Sequence, residues 1–257
     1  MTTKLIGTSW KMNKTLSEAL EFCHILAQGA PLPQQLQPFV IPPFTVVRDV
    51  TQALQKAGIN CLTGVQNMHF ADQGAFTGEI SPLMVKDTGA QLVELGHSER
   101  REFFGETDEM VQLKAAAALR HGLTPLICIG DSLREKQWGI SKESVIRQMK
   151  SALVGLAPEQ VAQVIIAYEP IWAIGERGVP ATAQEAQAIH EQLYQALKES
   201  YGARIADRVP LLYGGSVNHD NAPTLLALPH VDGLFIGRAA WDGASYLRLL
   251  KTIAARF

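Results

Sequence analysis

The chain has 257 residues, 47% of them hydrophobic, and a formal net charge of −2. That balance provides no basic field for nucleic acid or an anionic membrane, and no run approaches the roughly eighteen apolar residues a membrane helix needs. Cys23, Cys61 and Cys128 are odd in number and lack metal-ligand spacing, and the opening MTTKLIGTSWKMNK lacks the long apolar stretch of a secretory leader. The expectation is a soluble cytoplasmic protein with reduced thiols.

Short apolar runs alternate with amphipathic stretches from one end to the other. The first, residues 4–8, leads to Ser9 and Lys11. Residues 39–41 form the second. The third, 60–65, leads to Gln66 and Asn67, and the fourth, 91–95, to His97 and Glu99. The fifth, 124–129, contains Cys128, which has no base or cluster beside it and reads as packing. The sixth, 164–168, has the continuous apolar character of a strand buried on both faces and runs into Glu169. Pro170 ends that strand, Trp172 is a bulky anchor, and Gly175 is placed as a hinge.

The clearest helix follows, with Ala186, Ile189, Leu193 and Leu197 on one face and Glu185, Glu191 and Lys198 off it. The seventh run, 209–213, precedes Gly214, Gly215 and Ser216, and the eighth, 233–236, precedes Gly237 and Arg238. Strand–helix alternation demands parallel strands with helical crossovers. Eight such units in this length fit an α/β fold, a single-domain (β/α)8 TIM barrel over residues 1–257, better than an open doubly wound sheet.

In such a barrel the polar residues at the carboxyl ends of the strands share one mouth. Glu169 there suits a proton-abstracting base on a rigid strand beneath a closing loop; the plain alternative is an acidic helix cap. Glycines after the last two strands leave backbone N–H groups open to a phosphate; taken singly, each is also an ordinary turn glycine.

Five segments carry a more specific signal: SWKMN at 9–13, GAFTGEIS at 74–81, LGHSERR at 95–101, YEPIWAIG at 168–175 and YGGSV at 213–217. In this order they resemble the signature segments of the triosephosphate isomerase family, and the similarity covers nearly the whole chain. The resemblance implies a cofactor-independent and metal-independent isomerase acting on a small phosphorylated sugar through an enediolate. It implies Glu169 as base, His97 as a neutral electrophile before a helix start, and Lys11 as a fixed positive charge. Ser9, Gly175, Gly214, Gly215, Ser216, Gly237 and Arg238 are implied around the substrate and its phosphate.

Glu99 is implied as a support near Lys11, either shuttling protons or only ordering the site. Thr77 lies in a loop that in the family reaches a neighbouring subunit's active site, which implies a homodimer. Arg100 and Glu79 match a structural pair near that contact.

Three departures bear on the substrate. The triose isomerases carry asparagine where this chain has Ser9, and usually a second glycine where it has Arg238, whose guanidinium either reinforces phosphate binding or points outward. The lid, GERGVPAT at 175–182, is one residue longer than usual and holds Pro180. Together these resemble the tetrulose-phosphate isomerase branch of erythritol and threitol catabolism. The alternatives are a triosephosphate isomerase proper and, from another class, a non-catalytic phosphate-binding barrel.

Overall fold

A computed structural model describes residues 3–32, 34–174 and 178–256. Its strands are β1 (Lys4–Ser9), β2 (Leu36–Ile41), β3 (Leu62–Val65), β4 (Leu92–Leu95), β5 (Thr124–Ile129), β6 (Ile165–Tyr168), β7 (Leu211–Tyr213) and β8 (Gly233–Ile236). Each pairs in parallel with the next, and β1 closes on β8 through Leu5 opposite Gly233. With helices in the crossovers, this is a single-domain (β/α)8 barrel.

The eight expected strands are all present; β5 and β8 coincide with the expected runs and the other six have shifted ends. β2 begins at Leu36 and continues through Pro38, so a proline that reads as a strand boundary lies inside one. β7 shortens to Leu211–Tyr213, and Val209 packs just before it.

Period-two alternation builds two apolar layers. Phe39, Ile41, Leu92, Leu126, Cys128, Ile165, Ala167, Leu212 and Phe235 fill the barrel. Their neighbours Val40, Val93, Ile127, Ile129 and Ile166 face the helices. The interior is tightly filled: the Phe39 and Phe235 rings stack 5.7 Å apart. A Cβ on Gly7 would lie 2.1 Å from the Phe39 ring, so the strand beside it must be bare.

The helix predicted around Ala186 runs from Ala183 to Tyr201. It is opened by a capping box in which Thr182 and Glu185 bond reciprocally. Cys23, Cys61 and Cys128 are buried free thiols. Burial pushes the Cys23 thiol up to about 11 and that of Cys128 well above its ordinary value. Among the described residues no helix is long and apolar enough to cross a membrane.

Candidate active site

A cleft of about 470 Å³ opens at the carboxyl ends of the strands. Ser9, Lys11, His97, Glu99, Glu169, Gly214, Gly215, Ser216, Gly237 and Arg238 all line it, with Ala173, Ile174 and Trp241 among the others. Gly175 lies outside the described residues. Thr77 stands exposed on the loop after β3 and does not line the cleft of its own chain. That loop is organised by the His69 ring, which packs on Phe76 with centroids 4.1 Å apart. Within the chain Arg100 does not reach Glu79; its Nε lies 3.5 Å from Glu106 and its guanidinium sits over the Phe104 ring.

Lys11 adopts a left-handed backbone with φ 53°, a conformation a lysine rarely takes unless held. The Gln66 amide holds it, donating to the Lys11 carbonyl at 2.8 Å and to the Ile41 carbonyl at 3.2 Å. Trp241 Nε1 donates to the Ser9 carbonyl at 2.8 Å. The Lys11 ammonium then meets Glu99 at 2.6 Å.

His97 caps the short helix Ser98–Phe104. Its Nδ1 accepts from the Glu99 backbone N–H at 3.2 Å, so the ring's own proton is on Nε2. That Nε2 faces Glu169 Oε2 across 3.6 Å. Burial, with the nearby Lys11 and Arg100 charges, lowers the imidazole to about 4, leaving it a neutral donor at ordinary pH. Below it, Glu106 accepts from the Gly96 N–H and from buried Lys114, which also donates to Asn67 at 2.8 Å. Arg101 donates to the Gly96 carbonyl at 2.7 Å. The turn that carries His97 is thereby fixed from both sides.

Glu169 is 4% exposed, and its Oε2 has no hydrogen-bond partner among the described residues. Its backbone N–H donates to the Ile129 carbonyl at 2.8 Å. Two glycines make room for it: a Cβ on Gly130 would lie 2.1 Å from the Glu169 carbonyl oxygen, and one on Gly214 2.7 Å from its Cγ. Burial and the negative charge of Glu94 push the carboxyl up to about 8, against the pull of Lys11. The start of the lid is anchored by buried Asp131, which accepts from Tyr168 Oη at 2.9 Å and Trp172 Nε1 at 3.0 Å. A Cβ on Gly237 would meet nothing within 4 Å, so open space and bare backbone adjoin at that rim. Arg238 is exposed beside it.

Four residues at this site are not among those singled out from the sequence. Asp131 and Trp241 act through partners far away in sequence, and Glu106 sits beyond the GHSERR segment. Glu94 did leave a signal, as a charged residue inside the otherwise apolar LVEL strand. It is 2% exposed and accepts from Ser9 Oγ at 2.7 Å. Burial pushes it up to about 7, opposed by the Ser9 hydrogen bond and Lys11.

Comparison with known proteins agrees with this geometry. The family model described as triosephosphate isomerase matches residues 4–253. A protein of Brucella abortus biovar 1 (strain 9-941), named L-erythrulose-1-phosphate isomerase, is 53% identical over 258 residues, covering 100% of this chain and 98% of its own. Proteins of the same name from Rhizobium rhizogenes and Mycolicibacterium smegmatis are 51% and 53% identical, over 98% and 97% of this chain and 95% and 93% of their own. The chain belongs to the triosephosphate isomerase family and is a sugar-phosphate isomerase.

Proposed function

We propose that this cleft interconverts L-erythrulose 1-phosphate and D-erythrulose 4-phosphate in the cytoplasm, as a step of erythritol catabolism. The name carried by relatives matched along the full chain supports this substrate. The observation that carries the chemistry is the neutral His97 Nε2–H facing an unpartnered Glu169 oxygen across 3.6 Å, with Lys11 lining the same cleft.

In its ionised form Glu169 removes the proton from the carbon that bears the hydroxymethyl group, next to the carbonyl. The electron pair moves into a carbon–carbon double bond, and the carbonyl oxygen becomes an enediolate oxygen. His97 donates to the old carbonyl oxygen and takes up the proton of the neighbouring hydroxyl, so one proton passes between the two oxygens, and Lys11 stabilises the negative charge as it develops. The proton then returns from Glu169 to the neighbouring carbon. Oxidation of one carbon balances reduction of the other within one molecule, so this scheme calls for no cofactor or metal. Gly214, Gly215, Ser216 and Gly237 offer backbone donors to the phosphate, and Arg238 adds charge at the rim. Glu99 orders Lys11. The loop with Thr77 and Phe76, the latter 47% exposed, completes the neighbouring site of a homodimer.

The test is a parallel assay of turnover on L-erythrulose 1-phosphate and dihydroxyacetone phosphate, with solvent isotope exchange followed on each. Preference for the tetrulose, reduced in Ser9→Asn, supports the proposal. Preference for the triose overturns it in favour of a triosephosphate isomerase. Binding without exchange on either substrate overturns catalysis altogether.

A further inference from the structure

Glu94 is a carboxylate beneath the cleft that the proposed reaction leaves without a task. It follows Leu92 by two residues, and Leu92 belongs to the layer filling the barrel, so Glu94 continues that inward-facing row at its upper end. Its bond to Ser9 crosses the barrel: β1 neighbours β2 and β8, whereas β4 neighbours β3 and β5. The nearby Lys11 ammonium is engaged with Glu99 at 2.6 Å.

Burying a carboxylate in such a place is costly, and a serine hydroxyl at a strand end needs no carboxylate to be satisfied. In its ionised form the carboxylate claims the hydroxyl's one proton. A serine has a single O–H donor and two lone pairs. With the proton aimed at Glu94, Ser9 offers the cleft it lines only an acceptor. Lys11 and the His97 ring supply donors at the same floor, and Glu169 is reserved for a proton on carbon. A ligand hydroxyl that must donate is therefore matched by Ser9.

We propose that Glu94 is a positioning residue for substrate choice: it orients Ser9 to accept a hydrogen bond from the terminal hydroxyl of a four-carbon sugar phosphate. The inference rests on the tetrulose reading of the cleft. A triose phosphate lacks that hydroxyl and leaves the oriented lone pairs of Ser9 unused.

The experiment measures kcat and KM for Glu94→Leu, Glu94→Gln, Ser9→Ala and the Ser9→Ala/Glu94→Leu double variant on both substrates, beside the unmutated enzyme. The tetrulose-to-triose ratio of kcat/KM should fall by about tenfold or more in Glu94→Leu and in Ser9→Ala. The double variant should lose no more than the worse single one, because the two residues act as one unit. Glu94→Gln keeps the volume and an oxygen that accepts from Ser9, so its ratio should stay nearer that of the unmutated enzyme than the ratio of Glu94→Leu. A ratio unchanged in Glu94→Leu, an equal loss on both substrates there, or a fall in Glu94→Gln as large as in Glu94→Leu overturns the inference and leaves Glu94 structural. If the unmutated enzyme does not turn over the tetrulose phosphate, the functional reading falls first. If it does and the ratios stay put, the inference alone falls.

Discussion

Replacing Glu94 by glutamine keeps the side chain's shape and an oxygen for Ser9 while removing the charge. In the unfolded chain this carboxyl titrates at its ordinary value, about 4.3. In the folded protein burial pushes it up to about 7, with Glu99 and Glu106 reinforcing the shift and Ser9 and Lys11 opposing it. Between those values the native state holds a proton that the unfolded chain has released. Stability from this group is therefore fully present below the unfolded value and is lost as the pH rises through the folded one.

At about 1.4 kcal/mol per unit, the loss in this window comes to roughly 3 kcal/mol. Glutamine has no proton to lose. Glu169 also titrates in this range and is itself raised by the Glu94 charge, so the substitution eases its penalty as well. Urea unfolding of both proteins at fixed protomer concentration, in steps from about pH 5 to about pH 8, reads the difference. The gap should move in favour of Glu94→Gln toward alkaline pH by roughly 3 kcal/mol. A gap that is flat with pH, or one that moves in the variant's favour toward acid, refutes the assignment of a raised carboxyl at this position.

Glu169→Asp withdraws the carboxylate by about 1.5 Å from its place opposite His97, and kcat should fall around a hundredfold with KM little changed; near-normal turnover would move the base elsewhere. Imidazole NMR of the free protein should keep His97 neutral, with its proton on Nε2, across the active range, and a titration near about 6.5 would contradict its lowered value. Gly214→Ala puts a methyl 2.7 Å from Glu169 Cγ, so kcat should drop by about tenfold or more while the circular dichroism spectrum is retained; unaltered kinetics would mean that Glu169 tolerates the shift. Sedimentation at micromolar concentration should give at least twice the chain mass, and an active monomer would remove the role proposed for the Thr77 loop.

Most of the barrel was legible because it is written locally. Apolar runs such as 124–129 coincide with their strands, and the residues just past them form one cleft because parallel strands end on one side. The start of β2 was not legible, since Pro38 reads as a stop and only its place in the sheet shows otherwise. The family segments marked Lys11, His97 and Glu169, whereas several groups that hold them, Gln66, Glu106 and Asp131 among them, lie outside those segments. Gln66 holds Lys11 from 55 residues away, and Asp131 anchors Trp172 across 41. Such pairs carry no periodicity. Glu94 had a visible signal, a charge in an apolar strand, but its partner Ser9 lies 85 residues earlier, across the barrel.

The Trp241 indole, bonded to the Ser9 carbonyl, ties the region after β8 to the end of β1 across the seam that closes the barrel. Every side chain assigned to proton transfer is synthesised well before this tether, and the strand that closes onto β1 ends only five residues ahead of it. A ribosome-bound chain stopped between Glu169 and Trp241 would carry the base, the imidazole and the ammonium without the clasp that seats Ser9. Turnover is then a property acquired late, after the last turn of the ring is in place, and a growing chain gains it as one event rather than by degrees.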